Sequence, residues 1–246
     1  MEVAVLGLGE AGGRLAADLA AAGCAVRGFD PARRLEGITN AGGAREAVDG
    51  ADVVLSVNAA AVALDAAIGV ADALAGDALY ADLNTASPQL KQKLASALPV
   101  QFVDVALVGV VPVSGLRTPA LASGAGAERF AGLFRPLGMP VEVVGPHPGD
   151  AAGLKLLRSV FMKGTAAAAI EAIEAARAAG VEERLRADIA DVIGEPLLER
   201  LLTGSQAHAA RRVAEMTAAA AYVEELGVSP RVASAAAGWL RQLDDA

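Results

Sequence analysis

Several residue types are scarce in this chain, and each scarcity closes a class of function. The single cysteine, Cys24, excludes an internal disulfide and is too few for a thiolate metal site; it reads as a small packed side chain near the end of the first helix. With only two histidines, His147 and His208, no metal site is expected. Positive charge is in deficit, at a net −8, which argues against a general nucleic-acid binder but leaves room for a local cationic pocket. No run reaches the roughly 20 uncharged apolar residues of a membrane span. The apolar start Val3–Leu6 breaks at Gly7 and lacks the basic flank of a secretory signal, so a cytoplasmic protein is expected.

Lysine is the most informative scarcity. Of 21 basic residues four are lysines, leaving 17 arginines, and two of the four, Lys155 and Lys163, lie in one helical stretch from Asp150 to Gly180. Arginine stays protonated in any protein setting, whereas a lysine can lose its proton when partly buried. At 100° per residue Lys155, Ser159, Met162 and Ala166 form one stripe, flanked by Arg158 and Lys163. Proton transfer along that stripe is one reading, and lysines snorkelling from an amphipathic helix are the other.

What is abundant is apolar: 54% of the 246 residues are hydrophobic, enough for a large core and two domains. Residues 2–6, EVAVL, read as a strand, followed by Gly7-Leu8-Gly9-Glu10-Ala11-Gly12 and a helical pattern through Ala22. This is G-x-G-x-x-G between strand and helix, where glycines permit a tight turn and close approach of a pyrophosphate to free N–H groups. A second strand, Ala25 to Phe29, ends in Asp30, where NAD-binding folds place a ribose-reading carboxylate. Asp30 favours NAD over NADP, while Arg33 and Arg34 just beyond it could meet a 2′-phosphate or simply face solvent.

A buried-type strand from Ala51 carries Asn58 at its carboxyl end, where ligands sit in open α/β sheets. Ala59–Ala75 reads as a helix and Ala78–Asp82 as a strand. Asn84 and Thr85 follow, able to reach a cofactor or to cap the helix that Ser87-Pro88 begins. Pro119–Ser123 and Val141–Val144 are the last expected strands, with a helix over Ala127–Leu137 between them. The turn Gly145-Pro-His-Pro-Gly149 closes the first domain, and Asp150 is placed to cap the long helix. Beyond Gly180 only helical patterns occur, over 181–202, 205–226 and 230–243, broken at Gly194-Glu-Pro196, Gly204-Ser205 and Gly227–Pro230. The expected architecture is α/β: a doubly wound, mostly parallel dinucleotide-binding domain (1–149), then an all-α domain (150–246) for substrate binding and dimerisation.

The glycine motif, the DLNTASP segment (82–88), the FVDVALVG segment (102–109) and the lysine-bearing helix together resemble the β-hydroxyacid dehydrogenase superfamily. Its members include 3-hydroxyisobutyrate and 6-phosphogluconate dehydrogenases, and imine reductases share its architecture. The nearest likeness is to a branch with Lys155-Leu-Leu-Arg-Ser159-Val-Phe-Met-Lys163 and later His208-Ala-Ala-Arg-Arg-Val-Ala-Glu-Met216. The resemblance implies a nicotinamide cofactor, Lys155 as general acid or base, and a homodimer through the helical domain. Two departures stand out. Val108 replaces the serine of the family's carboxylate-binding loop, with Ser114 in a similar string too late to substitute, and Ser159 replaces the asparagine four residues after the lysine.

The leading expectation is an NAD(P)-dependent oxidoreductase acting on a small hydroxyl or carbonyl compound, with Lys155 and Ser159 at the chemistry. Lys163 or Arg158, and His208 and Arg211 from a later helix, are candidates for holding an anionic substrate group. The alternatives are an imine or ketimine reductase and a dinucleotide-binding protein without catalysis.

Overall fold

The computed structural model describes residues 1–204 and 209–244; the side chains of 204–211 and of 243 onward are outside the description. Among the described residues there are eight strands: β1 (Glu2–Leu6), β2 (Ala25–Phe29), β3 (Thr39–Asn40), β4 (Val53–Ser56), β5 (Leu79–Asp82), β6 (Gln101–Leu107), β7 (Ala120–Ser123) and β8 (Val141–Gly145). The α-helices are α1 (Glu10–Ala21), α2 (Ala44–Val48), α3 (Ala60–Val70), α4 (Pro88–Ala97), α5 (Val111–Ser114), α6 (Ala127–Phe134), α7 (Asp150–Ala178), α8 (Glu182–Ile193), α9 (Glu195–Gly204), α10 (Ala209–Glu225) and α11 (Arg231–Asp244).

All strands join one sheet in the order β3-β2-β1-β4-β5-β6-β7-β8, parallel except where β6 meets β7. Strand order reverses between β1 and β4, which puts a crevice at the carboxyl ends of both. Side chains alternate across the sheet as a period of two requires. Val3, Val5, Val53, Leu55, Leu79, Ala81, Val103 and Val105 pack on one face with Leu15 and Leu19 of α1 and Phe130 and Phe134 of α6. Ala4, Leu6, Val54, Tyr80 and Phe102 pack on the other with Val48, Val70 and Leu94. The doubly wound architecture is therefore as expected, and β3, α2 and α5 are additions too short to leave a periodic signal.

The chain divides into two compact units, Met1–Lys155 and Leu156–Ala246, so the division falls six residues inside α7 rather than at its start. Hydrogen bonds to β6 and β7 explain why the first turn of α7 belongs with the sheet. The Ala151 N–H donates to Ser123 Oγ at 3.0 Å and the Ala152 N–H to Asp104 Oδ2 at 2.8 Å, so side chains from β7 and β6 satisfy helix-start donors. Asp150, expected as the cap, instead turns back to accept from the His147 N–H at 3.0 Å and secures the preceding turn. The second unit is all helix among the described residues. Its core joins Leu156 of α7, Met216 and Ala219 of α10, and Ala233, Ala236, Ala237 and Leu240 of α11.

Candidate functional site

The glycine-rich turn follows β1 at the switch in strand order. Gly7 has φ +100°, and a Cβ there would stand 2.5 Å from the Val57 carbonyl oxygen, so this position admits only glycine. A Cβ on Gly12 would come 1.9 Å from the Gly7 oxygen, which is how closely α1 approaches the turn. Gly9 differs: a Cβ there would project into open space, and no side chain caps the N-terminus of α1. Open volume in front of uncapped helix amides is what a pyrophosphate requires. Leu8, Glu10 and Ala11 supply the rest of the turn; the Leu8 side chain is buried and Glu10 faces solvent.

Asp30 sits beside this turn. Its Oδ2 accepts from the Leu8 N–H at 2.8 Å and its Oδ1 from the Ala32 N–H at 2.9 Å. Partial burial works to raise its pKa, but the N–H groups of Ala32, Leu8 and Arg33 and the Arg33 charge hold it below the ordinary carboxylate value. Arg33 is exposed, and Arg34 donates to the Ala41 carbonyl at 3.0 Å. The carboxylate is thus fixed and ionised, with lone pairs left for a hydroxyl donor.

Beyond β4 and β5 the structure brings Asn58, Asn84 and Ser56 together. Asn84 Nδ2 lies 2.9 Å from Asn58 Oδ1, 3.1 Å from Ser56 Oγ and 2.5 Å from Asp82 Oδ1. Asn84 is buried, yet its Oδ1 has no hydrogen-bond partner among the described residues, an unmet acceptor of the kind that calls for an explanation. The helix-capping task falls to Ser87, whose Oγ accepts from the Leu90 N–H at 3.3 Å. Thr85 is free of that duty, and its Oγ1 accepts from Lys155 Nζ at 3.0 Å. The orphan acceptor, the open space at Gly9 and the fixed Asp30 carboxylate all suit a dinucleotide.

One group escaped the sequence reading. Lys91, on α4, is fully buried, with Nζ 2.7 Å from Asp82 Oδ2, 2.9 Å from the Asp82 carbonyl and 2.9 Å from Asp104 Oδ1. Both carboxylates are fully buried as well. Burial works to lower the Lys91 pKa, and the charges of Asp82 and Asp104 reverse this and raise it. Asp82 at the end of one apolar strand run and Asp104 in the middle of another were the available signal, since buried carboxylates demand a counterion.

The loop after β6 is held by backbone contacts. Val108 is partly buried and its N–H donates to the Pro119 carbonyl at 2.8 Å. Ser114 lies in the short helix α5, and this helix and the turn after it are both tied to α1: Arg14 donates to the Pro112 carbonyl at 3.1 Å, and Asp18 accepts from the Leu116 N–H at 3.0 Å.

In the helical unit, Ser159 is buried and donates to Glu215 Oε1 at 2.5 Å, while Lys163 Nζ reaches the same oxygen at 2.9 Å and Ser159 Oγ at 3.3 Å. Lys163 and Ser159 thus converge on Glu215 of α10. Arg158 is exposed on α7. Arg211 lies within α10 but its side chain is outside the described residues, as is His208 altogether. No cluster of three or more potential metal ligands occurs among the described residues.

A mostly parallel sheet whose glycine turn, fixed carboxylate and polar side-chain cluster lie at the carboxyl ends of its strands defines a dinucleotide-binding domain. Residues 2–127, half of the chain, match the family described as the NAD binding domain of 6-phosphogluconate dehydrogenase, and the chain belongs to that family, within the β-hydroxyacid dehydrogenase superfamily of NAD(P)-dependent dehydrogenases and reductases. Its cofactor is accordingly NAD or NADP. Residues 176–243 match a domain of unknown function, DUF1932.

A 3-hydroxyisobutyrate dehydrogenase of Pseudomonas aeruginosa is 30% identical over 186 residues, covering 68% of this chain and 62% of that protein. The crystal structure of a conserved hypothetical protein from Sinorhizobium meliloti 1021 is 30% identical with a TM-score of 0.80, covering 98% of this chain and 87% of that one. A Mycobacterium tuberculosis 3-hydroxyisobutyrate dehydrogenase shares the fold, with a TM-score of 0.85 at 21% identity, covering 98% of this chain and 92% of that one.

Proposed function

We propose that the protein exchanges a hydride between a nicotinamide dinucleotide and a small hydroxyl, carbonyl or imine carbon, with Lys155 giving the proton in reduction and taking it in oxidation. The observation that carries this reading is the Lys155–Thr85 hydrogen bond of 3.0 Å, at the sheet edge that also holds Asn84, Asn58 and the glycine turn. The nicotinamide, when bound, supplies or accepts the hydride. The glycine turn and the amides at the start of α1 hold the pyrophosphate, and Asp30 accepts from the ribose hydroxyls, which favours NAD. Asn58 and Asn84 add polar contacts beyond β4 and β5. Thr85 accepts from the Lys155 ammonium and so helps to fix where it stands.

The reaction is tested with NADH and NADPH on a panel of semialdehydes, keto acids and cyclic imines, followed by Lys155→Ala on whichever substrate turns over. A Lys155→Ala enzyme within about tenfold of the parent would remove Lys155 from proton transfer, since positioned acid–base groups contribute about 10²-fold or more. Val108 favours the imine end of that panel: its side chain offers no hydroxyl and its N–H is occupied by Pro119, which leaves this position unable to grip a substrate carboxylate.

A homodimer through the helical unit accompanies this reading. Helix α8 has no buried residue, and Phe161, Val181 and Val192 are exposed at 69%, 52% and 83%, apolar surface that a second copy would cover. Light scattering on the eluting protein checks it, and a monomer at micromolar concentration would overturn it.

A further inference from the structure

We propose that Lys91 is a positioning residue for the chemistry assigned above, setting Asn84 through Asp82 and the helix turn that leads to Lys155 through Asp104. The inference rests on that functional reading. Asp82 and Asp104 are register partners on adjacent parallel strands and lie on the same face of the sheet, where α4 packs. Two buried carboxylates side by side cannot both stay ionised without a cation between them. Lys91 is that cation, and it contacts only one oxygen of each carboxylate.

The other two oxygens point outward to working parts. Asp82 Oδ1 takes the Asn84 amide at 2.5 Å, which orients Asn84 toward Asn58. Asp104 Oδ2 takes the Ala152 N–H at 2.8 Å and lies 3.3 Å from Ser123 Oγ, which itself accepts from the Ala151 N–H. Lys155 follows Ala152 by three residues in the same helix. One buried ammonium therefore holds two separate arms, one ending at the orphan acceptor of Asn84 and the other at the Lys155 ammonium. A counterion serving stability alone would need neither arm.

The arms can be cut one at a time. An aspartate-to-asparagine change is isosteric and leaves Lys91 with one carboxylate, but an amide has one oxygen and cannot accept on both sides. Asp82→Asn must then drop either Lys91 or Asn84, and Asp104→Asn either Lys91 or Ala152. Two readouts need no substrate: NADH affinity by fluorescence titration, and the ε-CH2 signal of Lys155 in full-length protein labelled with 13C-lysine, assigned by its loss in Lys155→Arg. With four lysines in the chain the spectrum is sparse.

Asp82→Asn is expected to weaken NADH binding about tenfold and leave the Lys155 signal and its pH titration in place, while Asp104→Asn moves that signal and keeps NADH affinity within about twofold. Lys91→Met moves both readouts; should it fail to fold, the two asparagine variants still decide. The proposal is overturned if both asparagine variants change the two readouts together, in step with lost thermal stability, or if neither variant changes either one. Wild-type protein that binds neither NADH nor NADPH would sink the functional reading instead, and the response of the Lys155 signal to Asp104→Asn would then decide the arm to α7 alone.

Discussion

Lys155 Nζ donates to Thr85 Oγ1 across 3.0 Å, joining the first turns of α7 to the loop that leaves β5. The bond fixes where an ammonium stands, and its hydroxyl acceptor carries no charge of its own. Thr85→Val keeps the shape and removes the acceptor. It is expected to lower kcat about tenfold with the cofactor affinity unchanged, measured as steady-state NADH oxidation on the best substrate of the panel. Lys155→Arg keeps the charge but cannot release a proton. Its activity is expected to fall with that of Lys155→Ala, and full activity in the arginine variant would assign Lys155 an electrostatic role only.

Asp30 ties cofactor choice to acid stability. Its carboxylate accepts from the Leu8 and Ala32 N–H groups, and its pKa is held below the ordinary 3.8. A depressed carboxylate contributes stability that is fully present above its unfolded value and is lost as the pH falls through its folded value. Asp30→Asn is therefore expected to melt below the parent at pH 7, with the difference closing as the pH drops below about 3.8, followed by thermal melts across pH. The same variant should bind NADH about tenfold more weakly and narrow the preference over NADPH, read by direct titration of both.

Lys91 predicts the opposite pH behaviour. Its pKa is raised from 10.5, because Asp82 and Asp104 outweigh the cost of burial. A raised lysine gives stability that is complete below its unfolded value and is lost only as the pH climbs through its folded value. The parent should therefore keep this contribution to about pH 10.5 and lose it above. Lys91→Met leaves two facing buried carboxylates and should cost about 3–5 kcal/mol in urea unfolding at pH 7.

The legible parts of this chain were those with strong local rules. Val3–Leu6 followed by three spaced glycines announces a strand, a turn and a helix before any tertiary contact is known, and Gly194 and Gly227 punctuate the later helices in the same way. What stayed hidden depends on partners far away in sequence. Lys91 sits in Gln89-Leu-Lys-Gln-Lys93, which reads as a solvated helix face until Asp82 and Asp104 are seen to close over it. The rarity of lysine pointed to Lys91 as much as to Lys155, but only the fold shows which side of α4 is inside. Asp150 failed as a cap for the same reason: the α7 donors found Ser123 and Asp104, which no local spacing connects to them.

The glycine turn separates packing from binding within four residues. Alanine at Gly12 would place a Cβ 1.9 Å from the Gly7 oxygen, so Gly12→Ala must push α1 off the sheet and is expected to cost about 1–3 kcal/mol. Alanine at Gly9 meets nothing within 4 Å, and the backbone there has φ −66°, which any residue adopts. Gly9→Ala should therefore fold as stably as the parent, yet bind NADH about tenfold more weakly, because its methyl occupies space the pyrophosphate needs. Parallel thermal melts and NADH titrations check both variants. Unchanged affinity in Gly9→Ala would place the pyrophosphate elsewhere.

Ser159, Lys163 and Glu215 carry the remaining prediction. Glu215 Oε1 accepts from both the Ser159 hydroxyl and the Lys163 ammonium, and the Lys163 and Glu215 side chains are only 18% and 13% exposed. A cation committed to a largely buried carboxylate does not serve a substrate anion as well. If Lys163 is structural, Lys163→Met should lower stability by about 1–3 kcal/mol, because Glu215 loses one charged donor, and leave the KM for acidic and neutral substrates in the same ratio. Glu215→Gln should cost less, since an amide oxygen still accepts from Ser159 while Lys163 can turn outward. A rise in KM confined to acidic substrates in Lys163→Met would return Lys163 to the role of an anion holder, and the pairing with Glu215 would then be a resting arrangement that substrate displaces.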